Sequence, residues 1–293
     1  ATGLRVARRN APDGPADLRV GPVSPVDPPG AGAVDAQRAD GVVWRRHRAS
    51  EERLVVEFVD VAVVAVESGS GLVTFDRPLE PEAEEHLLLD HVLPLVLAHR
   101  GHVVLHAGLV SQGDACAVLV RSSGACKSTL AAYAWRRGWT LGGDDGVVVL
   151  PAAAPRVQPT YATVRLHPES ADLVALRDAT SAPVLGKVRI GAGGAAPFRL
   201  DPVRAAVVAI VEPAPDGAAA RFDRIRGIDA HAELFGSTFH AEMGPGHLLP
   251  GVVDTLATLV EAAVVGRLAV PRGVAGLAAA EAVLRHQVEQ VSP

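Results

Sequence analysis

A lysine followed by two hydroxyls, Lys127-Ser128-Thr129, comes directly after a run of small residues, Ser122-Ser123-Gly124-Ala125-Cys126. Lysine and hydroxyl in that order suit the phosphates of a nucleotide. In the pattern G-x-x-x-x-G-K-[ST] the loop's backbone N–H groups cradle the phosphates, the lysine reaches the β- and γ-phosphates, and the hydroxyl binds Mg²⁺. Two glycines of the pattern are replaced here, by Arg121 at the first position and Cys126 at the last, while Gly124 remains between them. Further on stands Asp144-Asp145, a pair suited to Mg²⁺ coordination and to general-base work. Phosphorylating a hydroxyl needs a held triphosphate, neutralised charge, and an aligned, deprotonated acceptor. Each motif alone has a plainer reading. Lys-Ser-Thr often just starts a helix, Gly-Gly-Asp-Asp is often a turn, and His106, at the end of an apolar run, is alone a strand-end histidine. Their succession raises phosphate binding above coincidence.

The elements around these residues have the required order. His102–His106 and Ala115–Val120 read as strands, with a turn at Gln112-Gly113-Asp114, and the second strand runs straight into the loop. A helix follows from Lys127 to Arg137, its inner face Leu130, Ala131, Ala134 and Trp135, closed by Gly138. Trp139–Leu141 leads to Gly142-Gly143-Asp144-Asp145, and Val147–Leu150 is the next strand. Strand, loop, helix, strand is the setting in which such a motif means most. The N-terminus of that helix would add aligned N–H groups and a dipole favourable to anions.

Upstream, Leu54–Phe58, Val61–Val66 and Leu72–Phe75 read as strands, with Ser68-Gly69-Ser70-Gly71 as a turn, before a helix from about Glu82 to His99. Residues 1–40 are rich in Pro, Gly, Ala, Arg and Asp without periodicity, and read as a flexible lead-in. Downstream, strands are expected at Val188–Ile190, Phe198–Leu200, Ala205–Val211 and Arg221–Ile225. Helices are expected at Ala230–Phe235, Val252–Val265 and Val274–Val288. The domain reading is thus 1–40 lead-in, 41–100 small β-rich subdomain plus helix, and 101–293 an α/β phosphate-loop domain.

Bulk properties remove several functions. The 293 residues carry a net charge of −5, which gives no basic footprint for nucleic acid. Two cysteines, Cys116 and Cys126, exclude a disulfide framework or a cysteine-based zinc site. Leu87–Ala98, the longest apolar stretch, is interrupted by Asp90, His91 and Pro94 and is too short for a bilayer. No leader-like segment opens the chain. A cytoplasmic protein without membrane partners is the expectation. His231, His240 and His247, near Glu233 and Glu242, fit no compact metal-ligand spacing and read as loop and surface histidines. Cys126, at a helix start beside Lys127, has the setting of a reactive thiol, but no Cys/His/Asn arrangement accompanies it.

Leu105-His106-Ala107-Gly108, Ala117-Val118-Leu119-Val120, Ser123-Gly124-Ala125-Cys126-Lys127-Ser128-Thr129-Leu130, Asp144-Asp145 and Tyr161–Pro168 together resemble the HPr kinase/phosphorylase superfamily. The nearer resemblance is to its HPr-kinase-related branch, with a degenerate Walker A loop. It covers about residues 85–170, is general over 45–85 and 185–290, and is absent from 1–40. It implies a P-loop kinase domain of the type shared with PEP carboxykinases. His106 then matches an active-site histidine near the γ-phosphate, Lys127 the Walker lysine, and Ser128 the metal-binding hydroxyl. Asp144 and Asp145 match an acidic pair, one bearing on Mg²⁺ and the other on the acceptor. Ser122, Ser123, Gly124, Ala125, Cys126 and Thr129 complete the nucleotide loop, and Lys187 matches a later basic position that touches phosphate.

Two function classes stay open. One is a kinase using ATP and Mg²⁺ to phosphorylate a hydroxyl, serine foremost, on a peptide, protein or small molecule. The other is a degenerate, non-catalytic protein that binds a nucleotide or phosphate as a regulatory partner; Arg121 and Cys126 motivate it. A kinase acting on the sugar-transport phosphocarrier is disfavoured by the different N-terminal part. The resemblance leaves room for a homo-oligomer.

Overall fold

The computed structural model describes residues 6–7, 18–37, 41–120, 126–152, 154–159, 163–176, 186–191, 199, 201–243 and 250–291. The chain divides into two compact units, Ala1–Arg100 with His240–Leu248, and Gly101–Phe239 with Leu249–Pro293.

In the first unit, β1 (Val6–Ala7), β2 (Leu18–Val20), β3 (Val34–Gln37), β4 (Val43–Ala49), β5 (Arg53–Phe58), β6 (Ala62–Glu67) and β7 (Leu72–Phe75) make one seven-stranded sheet in the order β1-β2-β7-β6-β5-β4-β3. Alternation along β5 buries Leu54, Val56 and Phe58 and leaves the residues between them half-buried, the pattern of a strand with one covered face. Within the first forty residues, expected to lack regular structure, Leu18–Val20 pairs with β7 and Val34–Gln37 with β4. Three- and four-residue strands are too short to show periodicity in sequence, and the sheet supplies their partners. The expected single helix from Glu82 to His99 is α1 (Pro81–Leu87), a π-helical turn (Leu88–Val92) and α2 (Leu93–His99). Pro94 accounts for the interruption, because it has no N–H to bond the carbonyl four residues back.

The second unit is a mixed α/β structure. Its strands and helices are β8 (Val103–Leu105), β9 (Ala107–Gln112), β10 (Ala115–Val120), α3 (Lys127–Arg136), β11 (Thr140–Gly143), β12 (Val147–Leu150), β13 (Arg156–Pro159), β14 (Thr163–Leu166), α4 (Pro168–Leu173), β15 (Val188–Gly191), β16 (Val203–Pro213), β17 (Arg221–Arg224) and α5 (Gly227–Gly236). Then follow α6 (Phe239–Glu242), which crosses the division between units, α7 (Pro250–Ala262), β18 (Val264–Val270) and α8 (Gly273–Gln290).

A nine-stranded sheet runs β11-β9-β10-β16-β13-β12-β8, with β18 also beside β16 and β17 beside β18. β16 is its axis, parallel to β10 on one side and to β18 on the other. Both faces are covered. Leu119 and Val207 pack with Leu130, Trp135, Leu277 and Leu284 on the α3/α8 face, while Val118 and Val208 pack with Leu234 and Leu256 on the α5/α7 face. Strands covered on both sides read as continuous apolar runs, as Ala115–Val120 does. Trp139 is fully buried, and its Nε1–H donates to Glu281 Oε1 at 2.6 Å, so the large ring is buried without losing its donor.

Two expectations change. The helix expected to run to Val265 ends at Ala262, because Val264 and Val265 join β18 and pair with Val207 and Val208. Gly108–Ser111, not read as a strand, lies in β9 between β10 and β11. Phe198–Leu200 falls largely outside the described residues. Among the described residues no helix is long and apolar enough to cross a membrane.

Candidate functional site

Residues 121–125 lie outside the described residues, so Ser122, Ser123, Gly124 and Ala125 are not placed. The structure resumes at Cys126, which is exposed and caps α3 with φ 62° and ψ 11°. That is the left-handed region, which side chains with a Cβ enter at a cost and glycine enters freely. The loop pattern asks for glycine here, and the backbone takes the conformation that explains why.

Lys127 is the first residue of α3 and is 5% exposed; Thr129, two residues on, is also buried. Ser128 Oγ donates to Asp144 Oδ1 at 3.1 Å. The two meet because α3 returns into β11, and the chain leaves β11 through a constrained turn. At Gly142 a Cβ would fall 2.0 Å from Leu109 Cδ2, and Gly143 has φ +147°. Asp145 itself is left-handed, φ 63°. The turn buries both acids and directs them differently.

His106 lies between β8 and β9, its Nε2 3.2 Å from Asp145 Oδ1. Its backbone is fixed from far along the chain, its N–H donating to the Ser237 carbonyl at 2.7 Å. Its ring stacks on Phe239, centroids 5.6 Å apart and 23° between planes. On the other side of the pair, the backbone N–H of Arg165 approaches Asp144 Oδ2 at 3.4 Å.

The two acids are driven apart electrostatically. Burial, then the neighbouring charge of Asp145, pushes Asp144 up to about 7, against the pull of Lys187, Lys127 and the Ser128 hydroxyl. Asp145 is buried too, which would raise it. The hydrogen bond and charge of His106, with Lys187 and Lys127, outweigh burial and hold it well below the carboxylate range. Like charges side by side do not both ionise easily, and unequal surroundings decide which one does.

The structure thus brings together Ser128 with Asp144 and His106 with Asp145, while Lys127 and Lys187 lie close enough to act on both acids. Thr129 makes no contact with this group among those described, and Cys126 is exposed beside it. His247 is outside the described residues, and among those described no group of three or more His, Cys, Asp or Glu could hold a metal. Sequence reasoning missed Phe239, Ser237 and the backbone N–H of Arg165. Arg165 lies within the segment that carries the resemblance, whereas nothing local signals Phe239.

β14 and β15 form a separate antiparallel ribbon that pairs Thr163 with Gly191, Val164 with Ile190, Arg165 with Arg189 and Leu166 with Val188. Val164, Leu166, Val188 and Ile190 pack into the core. Thr163, Arg165 and Arg189 therefore share the opposite face, and Lys187, one residue before β15, continues that alternation.

No family model matches the chain, and no curated protein matches it. Among solved structures, the Hpr(Ser) kinase/phosphatase from Coxiella burnetii is similar to it at TM-score 0.33 and 11% identity, over 64% of this chain and 99% of that one. So loose a likeness leaves the chemistry to be read from the residues.

Proposed function

We propose that the second unit is a phosphotransferase that moves the γ-phosphoryl group of ATP to a hydroxyl, serine foremost, on a peptide, protein or small molecule. The observation that carries this reading is the 3.1 Å contact of Ser128 with Asp144 at the start of a helix led by a buried lysine. Its fold would be a P-loop domain of HPr-kinase type.

The oxygens of Ser128 and Asp144 are hard donors that fit Mg²⁺, which takes one or two carboxylates and completes its shell with phosphate and water. When bound, Mg²⁺ would neutralise charge on the transferring phosphate. Lys127 neutralises further phosphate charge, and the amide N–H groups opening α3 point at an anion. Asp145, kept ionised, orients His106, and the His106–Asp145 pair takes the acceptor's proton as the phosphoryl group arrives. Phe239 and Ser237 keep the histidine in place.

A second reading, nucleotide binding without turnover, is favoured by the strained Cys126. Calorimetric titration with ATP, ADP and GTP, with and without Mg²⁺, separates the two when combined with a phosphoryl-transfer assay. The kinase reading expects Mg²⁺-dependent ATP binding lost in Lys127→Ala, and turnover lost in Asp144→Asn with the fold retained. Binding without turnover on any hydroxyl acceptor selects the second reading; no nucleotide binding refutes both.

A further inference from the structure

β17 ends at Arg224, and the chain turns through Ile225 and Arg226 into α5. Beside this turn, the end of α7 and the start of β18 leave an open groove of about 580 Å³, a volume in the range of binding pockets. Ile225, Val260, Val264 and Val265 give it an apolar lining, and of these only Val265 is buried. Ile228 lines it as well and is 81% exposed, more than any other large apolar side chain described. A lone exposed isoleucine means little. One that continues a recessed apolar lining makes a patch that folding alone leaves uncovered.

The charges at the groove differ from those around it. Arg221 pairs with Asp223, and Arg267 pairs with Glu212 and Glu233. Arg224 and Arg226, both exposed and both lining the groove, form no ion pair among the described residues. Glu261 lines the groove from α7 and Asp229 lies in the first turn of α5, but neither pairs with either arginine. Two unpaired guanidinium groups beside an aliphatic lining, on a chain of net charge −5, complement a partner that offers carboxylates. Arginine around an apolar centre is also the composition of protein-binding surfaces. The recess decides the kind of partner. A flat bilayer would meet Ile228 but not Val265, which is 3% exposed, whereas a single side chain can enter.

We propose that this groove docks a peptide segment of a partner protein in which an aliphatic side chain is flanked by carboxylates. The aliphatic group packs on Ile228, Val260 and Val264, and the carboxylates meet Arg224 and Arg226. This does not rest on the phosphotransferase reading. α5 runs 10 residues from the groove to Ser237, whose carbonyl holds the His106 N–H. That is roughly 15 Å of helix, so the groove stands apart from the acid pair.

The test titrates the full chain into short fluorescein-labelled peptides carrying one Leu, Ile or Val between glutamates at varied spacing, read by anisotropy. Counterparts replace the glutamates by Gln or the aliphatic residue by Ser, and phosphatidylglycerol vesicles are a further probe. At least one acidic, aliphatic peptide is expected to bind, and both of its counterparts at least about tenfold more weakly. Arg224→Gln, Arg226→Gln and Ile228→Ser should each weaken it about tenfold, the scale of a charged hydrogen bond or of one covered aliphatic side chain. All three positions are exposed, so urea midpoints should stay at the wild-type value. Asp144→Asn should leave peptide affinity within about twofold. Absence of binding by every acidic, aliphatic peptide overturns the proposal, as does equal binding of the Gln counterparts or undiminished binding in all three groove variants. Loss of the peptide in Asp144→Asn would move it to the acid pair and overturn the proposal too. Vesicle binding without peptide binding would make this face a membrane contact instead.

Discussion

Replacing Cys126 with glycine isolates the strain at the entrance to α3. A side chain with a Cβ in the left-handed region costs about 1–2 kcal/mol relative to glycine, and Cys126 sits there at φ 62°. It makes no side-chain capping hydrogen bond, so removing its thiol forfeits no cap. Against the relief stands the freedom glycine gives the unfolded chain, about 0.4–1 kcal/mol. Cys126→Gly should therefore be stabilising by roughly 0–1.5 kcal/mol. Cys126→Ala keeps the Cβ and the strain, and should lie within about 0.5 kcal/mol of wild type, the range of ordinary surface changes. Urea unfolding of the three proteins, compared at equal slope, gives the difference directly. The glycine variant should also bind ATP more tightly, since its backbone is free to follow the phosphates. If the alanine variant exceeds the glycine variant in stability by more than about 0.5 kcal/mol, the left-handed cap is wrong, and with it the account of why this loop prefers glycine.

Three further outcomes are expected. Gly276→Ala in α8 would put a Cβ 2.1 Å from the Pro271 carbonyl oxygen, so it should lose about 1–3 kcal/mol. Gly251→Ala in α7, with nothing within 4 Å, should instead gain up to about 1 kcal/mol; urea midpoints of the pair should move in opposite directions. Burial pushes the Cys116 thiol up to about 12, while Cys126 is exposed. Iodoacetamide at pH 8 should thus label one thiol in the native protein, identified as Cys126 by mass spectrometry, and both after unfolding. Asp144, raised from 3.8 to about 7, binds a proton in the native state that the unfolded chain has released, so between those pH values its contribution to stability falls as pH rises. Asp145 is depressed, so its contribution is complete above its ordinary value and is lost only below it. Stability curves of wild type and Asp144→Asn, measured without Mg²⁺, should diverge from pH 4 to 7 with the asparagine variant falling less. Parallel curves would contradict the burial of that acid.

What could be read in the sequence was local. Ala115–Val120 running into Lys127 and on to the acidic turn is a contiguous stretch, and its order of strand, loop, helix and strand follows from residues close in the chain. The meaning of glycine before Lys127 was legible because it depends on one residue's φ. Partnerships across long separations were not. Phe239 meets His106 across 133 positions of chain, and no periodicity near either residue records the encounter. Val264 and Val265 extend a plausible helical pattern, and only their pairing with Val207 and Val208 makes them strand. An apolar run of that length is compatible with either state until its neighbours are known. Arg165 and Arg189 acquire their common face from a ribbon whose two strands are more than twenty residues apart, so each alone reads as a scattered surface cation.

The position of β16 at the axis of the larger sheet bears on how the protein is made. β10, which leads toward α3, has β9 as an immediate hairpin partner, but its parallel partner β16 begins roughly 80 residues further on. At ribosomal speeds of about 5–20 residues per second, that edge waits on the order of 4–16 s before the matching strand is even synthesised. β18 and α8, which cover the same axis, come later still. A sheet dominated by such distant pairings assembles slowly. The hairpin of Ala107–Val120, apolar on both faces, is therefore the segment a holding chaperone would meet on the nascent chain, and the complete larger sheet is the last feature the polypeptide acquires.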